Sequence, residues 1–322
     1  MAASSTTVAS APPSRPFRSY LQRLRGGDEV AYVVTFMASA TILLITGLLV
    51  YELFINSGES RAKFGWNFLV TSTWDPVNDQ FGALPFIYGT LVSSALALLI
   101  GIPLGVGAAI FLAELAPPKI SDALTFLIEL LAAVPSVIYG LLGIFVLVPL
   151  LRQVEPALRA VLGWTPFFSG PFYGVSLFSA GVILSVMIIP FIISISREVI
   201  LAVPGDQREA ALALGATRWE TTWDVVVPYA RKGIMGSIFL ALARSLGETM
   251  AVTMVIGNDP KIKASLFAPG YSIAAVIANE FTEATGKMYT SALIELGLVL
   301  FALTIVINGA ARILVMDSDK GS

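Results

Sequence analysis

Glu209-Ala210-Ala211-Leu212-Ala213-Leu214-Gly215, followed by Val225-Val226-Val227-Pro228, forms a polar island between long apolar segments. Small residues at Ala210, Ala211, Ala213 and Ala216 leave one helix face with little bulk, so another protein's surface can come close to the backbone. Asp206 is placed to cap this helix, with Glu209 three residues later in the reciprocal capping-box position. Gly215 is a natural stop, because a left-handed turn costs glycine little. Thr217 and Glu220 repeat the capping-box spacing, so the segment reads as helix, turn, helix. On physics alone it is either a docking element or a connecting loop that happens to be helical.

The rest of the chain has membrane composition. Of 322 residues, 56% are hydrophobic and 13% charged, with a mean hydropathy of +0.81. A soluble domain carries about 25% charged residues. Without cysteine there is no disulfide or thiol chemistry, and without histidine the usual pH switch is missing. Losing both also removes the commonest transition-metal ligands, so neither a metal site nor a catalytic residue is expected. The net charge of −2 offers nucleic acid no basic patch. A phosphate-cradling Walker loop needs Gly, four residues, then Gly-Lys-Ser/Thr. The single Gly-Lys pair, Gly286-Lys287, is followed by Met288 and has no glycine at the required earlier position. Energy must therefore come from a partner.

Residues 1–27 are rich in Ser, Ala, Pro and Arg and are expected to be a disordered basic cytoplasmic tail. They hold no apolar stretch of the signal-peptide kind. Residues 28–322 then read as a six-span permease domain, with segments near 30–55, 84–113, 123–151, 175–196, 232–257 and 291–313. Each is long enough to cross a ~30 Å hydrocarbon core at ~1.5 Å per residue. The coupling loop, 197–231, lies between the fourth and fifth. In the second span Gly101, Gly105, Ala109 and Ala113 make a small stripe suited to close packing. Pro103, Pro135 and Pro190 are read as lying inside spans. Spans two to five are expected to form the core, with the first as a peripheral brace. The loops on the N-terminal side hold twelve basic residues and those opposite hold seven, which favours both termini in the cytoplasm.

The pattern Glu-Ala-Ala, three residues, Gly, nine residues, Val, one residue, Val-Pro resembles the EAA loop of ABC-importer permeases. That resemblance implies an all-α, type I importer permease fold in which the loop docks in a groove on an ATPase. Asp206, Glu209, Ala210, Ala211, Gly215 and Ala216 would be its contacts. The run Leu130-Leu131-Ala132-Ala133-Val134-Pro135-Ser136-Val137-Ile138-Tyr139-Gly140 resembles the third-span signature of phosphate permeases. Gly247-Glu248-Thr249-Met250-Ala251-Val252-Thr253-Met254 resembles the fifth-span signature of their PstC-type subunits. Together these imply half of the pathway of a phosphate importer in the cytoplasmic membrane. The partners implied are a second, PstA-type permease, PstB-type ATPase subunits carrying ATP and Mg, and a PstS-type phosphate-binding protein. A sulfate or molybdate permease is the nearest alternative; an ATP-independent secondary transporter or channel and a non-transporting scaffold are the others.

Two charges stand inside the expected fifth span. An arginine at mid-bilayer costs at least ~2.5–3.5 kcal/mol, so Arg244 calls for a reason. Glu248 follows four residues later, a spacing at which two charges on one helix face support each other. Ala243, Gly247 and Ala251 would form a small stripe beside them. The readings are a structural ion pair or an anion pathway, the latter using Arg244, Glu248, Thr249, Ser136 and Tyr139. Glu114, Glu129 and Glu295 lie near expected span ends, where contact with water would explain them. Their roles stay open.

Overall fold

The computed structural model describes residues 28–318, and side chains from Val30 to Ile313. The expected N-terminal tail, 1–27, and Lys320 at the other end lie outside the described residues. The chain divides into two compact units, Met1–Ile55 and Asn56–Ser322. In the first, α1 (Asp28–Asn56) is one uninterrupted apolar helix. The hydroxyls of Thr35, Ser39, Thr41 and Thr46 donate to the carbonyls four residues back at 2.8–2.9 Å, so each is satisfied within the helix.

The second unit holds α2 (Gly58–Phe64), α3 (Asn67–Val70), α4 (Leu84–Ile110), α5 (Pro118–Ala132), α6 (Ser136–Leu142) and α7 (Val148–Leu162). They are followed by α8 (Leu177–Leu201), α9 (Gly205–Ala213), α10 (Arg218–Glu220), α11 (Val227–Leu246), α12 (Met250–Val255), α13 (Ile273–Glu280) and α14 (Lys287–Ser318). π-turns continue α4 over Phe111–Leu115, α6 over Gly143–Leu147 and α10 over Thr221–Val226. Among the described residues, six helical stretches are long and apolar enough to cross a membrane: Val30–Asn56, Leu84–Leu115, Ser136–Leu162, Leu177–Leu201, Arg218–Leu246 and Lys287–Ile313. The chain is a multi-pass membrane protein.

The fourth span is the hub. It has 61% of its most apolar window buried, against 28–33% for spans two, three, five and six. A helix apolar on every side belongs inside others, and Leu184, Ile188 and Ile192 are fully enclosed. The stripe on span two explains how it gets so close. A methyl group built on Gly105 would lie 2.8 Å from the Ile192 side chain, and one on Gly101 would lie 3.0 Å from Ile188. Backbone and side chain touch there with nothing between them, which is what drives helices together when lipid is as apolar as protein.

Three expectations need correction. Span three is not continuous over 123–151: α5 ends at Ala132 and α6 begins at Ser136. Pro135 stands in that break, because a proline disfavours helix in the residue before it and supplies no N–H of its own. Span five does not run over 232–257 either. It starts at Arg218, ends at Leu246, and a short α12 follows a non-helical Gly247-Glu248-Thr249. Span six also joins the core, since Ala292, Leu293 and Leu296 pack with Phe68, Phe81 and Phe86 in a second cluster. Pro103 and Pro190 do lie inside helices.

At the end of the bundle away from the coupling loop, Glu280 accepts from Trp74 Nε1 at 2.8 Å and Tyr289 Oη at 2.7 Å. Nearby, Asp75 folds a tight turn by accepting from the Val77 and Asn78 amides and the Asn78 side chain. Those donors hold its carboxyl below the ordinary aspartate value. Tyr88, near the start of span two, donates to the Lys263 carbonyl at this same end.

Gly105→Leu should lower the thermal stability of the purified protein by an amount typical of overpacking, about 1–3 kcal/mol. Gly105→Leu combined with Ile192→Ala, which clears the space, should lose less than the two single changes added together. Melting of the three variants in detergent is the measurement, and simple additivity would refute a packing contact at 105.

Candidate functional site

Two regions carry the candidate residues. The first is the coupling loop. Its helix α9 begins at Gly205 with Pro204 at the cap position, and no side chain caps it. The expected Asp206–Glu209 capping box is therefore absent. The helix starts two residues earlier than that reading requires, leaving Asp206 in its first turn, where a carboxylate still favours the positive end of the helix. The second box is present in both directions: the Thr217 amide donates to Glu220 Oε2 at 2.7 Å, and the Glu220 amide donates to Thr217 Oγ1 at 3.3 Å.

Gly215 has φ +92°, and the turn closes with Gly215 N to Leu212 O at 3.0 Å and Ala216 N to Ala211 O at 3.2 Å. That pair of bonds is a Schellman stop. Pro228 directly follows the π-turn 221–226 inside the span, where the wider winding accommodates a residue without an N–H, and Val226 is fully buried. The loop is thus locally determined and outwardly open. Asp206, Glu209, Ala210 and Gly215 are exposed, and Ala211 and Ala216 half-buried. Leu214 stands 91% exposed, with Trp219 and Trp223 edge-to-face beside the turn at 5.7 Å. A large apolar side chain so bare is unusual on a surface that meets only water.

The second region is where the two broken spans meet. Gly140 of α6 lies against α12: a methyl group there would be 2.4 Å from Met254 Sδ and 3.3 Å from Ala251 Cα. The runs 130–140 and 247–254, more than a hundred residues apart in the chain, are thereby in direct contact. Tyr139 is buried, and its hydroxyl donates to the Leu131 carbonyl at 2.7 Å. That carbonyl is the one a helical Pro135 N–H would have bonded. Ser136 and Thr249 are half-buried.

Arg244 and Glu248 do not share a helix face. The helix ends at Leu246, and Glu248 turns forward, accepting from the Ala251 amide at 3.2 Å. Among the described residues no ion pair joins the two. The expected stripe Ala243, Gly247 and Ala251 is cut by the same break. Glycine is a poor helix residue, by about 1 kcal/mol against alanine, and here it sits at the C-cap. Arg244 is exposed, its guanidinium carbon 5.6 Å from the centre of the Phe191 ring on span four. Such an arrangement tolerates the cation without neutralising it.

Of the open carboxylates, Glu129 is exposed. Glu295 is only 5% exposed and packs inside the second unit. Glu114 is held by Arg208, a residue for which the sequence offers no separate signal.

Six apolar helices make this a multi-pass membrane protein, and α6 and α12 meet beside the breaks that flank spans three and five. A family described as binding-protein-dependent transport system inner membrane component matches residues 101–317. The phosphate transport system permease protein PstC of Mesorhizobium japonicum is 47% identical over 297 residues, covering 91% of this chain and 91% of that one. PstC of Haemophilus influenzae is 46% identical over 294 residues, covering 89% and 93%. Among solved structures, a bacterial ABC transporter involved in the import of the acidic polysaccharide alginate aligns with a TM-score of 0.57 at 18% identity. It covers 90% of this chain and 98% of that one, and bears on the fold alone. The chain belongs to the binding-protein-dependent transport system inner membrane component family.

Gly215→Val and Gly215→Asn separate backbone from contact. Nothing lies within 4 Å of a methyl group built at 215, so only the positive φ is at stake. Asparagine tolerates that region and valine does not. The asparagine variant should keep near-native uptake by the complete transporter, and the valine variant should lose most of it at unchanged membrane levels. Equal activity in both would mean the turn geometry is unimportant.

Proposed function

We propose that this chain is the PstC-type permease subunit of an ATP-driven phosphate importer, forming half of the translocation pathway. The observation that carries the reading is the contact through Gly140, which brings the two phosphate-permease signatures together around the Arg244 break. The relatives support phosphate over sulfate or molybdate, since both are phosphate transport permeases by name. A second, PstA-type permease would complete the pathway, PstB-type subunits would supply ATP hydrolysis with Mg, and a PstS-type protein would deliver phosphate.

In this reading Arg244 offers charge-assisted hydrogen bonds to a passing oxyanion from an exposed position beside the Phe191 ring. With no ion-pair partner among the described residues, the guanidinium stays available. Phosphate carries a proton at neutral pH and can donate it to Glu248, which fully ionised sulfate cannot do. Ser136 and Thr249 line the same break, while Tyr139 serves it by adding a bond to the Leu131 carbonyl. The ATPase docks on Asp206, Glu209, Ala210, Ala211, Gly215 and Ala216, while Arg208 between them turns away toward the bundle. Both termini then lie in the cytoplasm and the protein in the cytoplasmic membrane.

Arg244→Gln should cut phosphate uptake about ten- to a hundredfold, the cost of losing a hydrogen bond to a charged group, while the assembled complex stays at native abundance. Glu248→Gln should narrow the preference for phosphate over sulfate. Uptake at the native rate in Arg244→Gln would exclude this residue from the pathway. Sidedness is tested at Leu214, because the native chain has no cysteine. Leu214→Cys should resist impermeant thiol reagents in intact cells. It should react in inverted vesicles stripped of the ATPase and be protected when the ATPase is added back. Labelling from outside would overturn the orientation, and labelling unaffected by the ATPase would overturn the docking.

A further inference from the structure

Helix α9 has no buried residue of its own. The strongest polar tie between it and the bundle is Arg208. Its Nη2 lies 2.7 Å from Glu114 Oε1, and its Nε lies 3.1 Å from Oε1 and 3.3 Å from Oε2. Nη2 also donates to the Ile200 carbonyl at 2.8 Å, and Nη1 donates to the Val203 carbonyl. One guanidinium therefore joins three elements: the helix α9, the Ile200 and Val203 carbonyls at and just past the end of span four, and the end of span two. The arginine side chain is 22% exposed and the glutamate 12%, so solvent weakens the pair far less than a surface bridge.

Glu114 owes its aim to the π-turn at 111–115, whose wider winding re-directs the side chains that follow it. Spans two and four are themselves locked at Gly101 and Gly105. A load placed on α9 thus passes through Arg208 into a packed pair of spans rather than into loose chain.

We propose that the Arg208–Glu114 pair is the positioning link through which the coupling helix moves spans two and four, and that without it the ATPase binds and hydrolyses but transport no longer follows. The inference rests on the reading of 206–216 as the docking surface. It differs from that reading in its consequence: docking variants lose the ATPase, link variants keep it.

The test uses the complete transporter in liposomes, with phosphate and its loaded binding protein. ATPase retained on purification, ATP hydrolysed and phosphate taken up are measured for Arg208→Gln, Glu114→Gln, the double variant and Arg208→Lys. Each single neutral variant should retain the ATPase fully while phosphate taken up per ATP falls about tenfold. The double should be no worse than the singles, because partners in one interaction are not additive. Arg208→Lys should fall between, since an ammonium cannot make the fork. Should Arg208→Gln fail to assemble, Glu114→Gln carries the test alone, as it leaves the arginine on the Ile200 and Val203 carbonyls. An unchanged uptake-to-ATP ratio overturns the link. So does loss of the ATPase from the singles in proportion to uptake, which would make the pair a mere support for docking. A native transporter that assembles without contacting 206–216 at all would instead defeat the docking reading.

Discussion

Hydrocarbon offers no hydrogen bonds, so every backbone group at membrane depth must find its partner inside the protein. The breaks before span three and after span five free backbone groups at the very ends of these spans, and those groups too must be met within the protein. The two breaks face each other and supply their own partners. Tyr139 Oη adds a second bond to the Leu131 carbonyl, which also accepts from the Val134 amide at 3.2 Å. Glu248 takes the Ala251 amide, and Thr253 Oγ1 takes the Thr249 carbonyl at 2.7 Å. Gly140 lets α6 lie flat against α12, which holds the two breaks at one level. An irregular, polar-lined seam of this kind is tolerated only where it is enclosed by protein or lines a water-filled path.

The coupling loop follows the opposite logic. Its turn is closed by local bonds alone, through the stop at Gly215 and the capping box at Thr217 and Glu220, so it keeps its shape without burying a face. That frees Leu214, Trp219 and Trp223 to stand exposed. The cost is weak attachment, since a nine-residue helix with no buried side chain is marginal by itself. Arg208 offsets that cost. A guanidinium can satisfy a carboxylate and two carbonyls together in fixed geometry, where an ammonium could not.

Local chemistry was legible in the sequence and distant pairing was not. Gly215 and the Thr217 box could be read because their partners lie within five residues. Six crossings could be read because hydropathy sums over a window. The same averaging hid the breaks: Ala133-Val134 and Gly247 are apolar enough to pass as helix, although Pro135 marked the first. Treating 232–257 as one helix then placed Arg244 and Glu248 on a shared face, and the pair followed wrongly from the geometry. Asp206 was misplaced for a smaller reason, since Pro204 makes an adequate helix start without a side-chain cap. Glu114 and Arg208 are 94 residues apart, and only the fold could put them together.

The fifth span connects the two regions directly. From the box at Thr217 to Arg244 the chain is helical throughout, about 40 Å at ~1.5 Å per residue, with one π-turn on the way. In the proposed importer, a tilt imposed near Thr217 would reach Arg244 along this helix, through the π-turn at 221–226. The second route runs from α9 through Arg208 into spans two and four, and span four carries Phe191. Both routes end at one contact, the Arg244 guanidinium over the Phe191 ring. In the proposed importer, moving span five against span four would change how far the cation is covered by the ring, and so how strongly it attracts an anion. A lone cation against an aromatic face suits that task better than a tight ion pair. Breaking a desolvated pair costs several kcal/mol, whereas sliding off a ring costs only about 0.5–2 kcal/mol. The arginine can then be exposed and covered again within the small energies that a helix shift supplies.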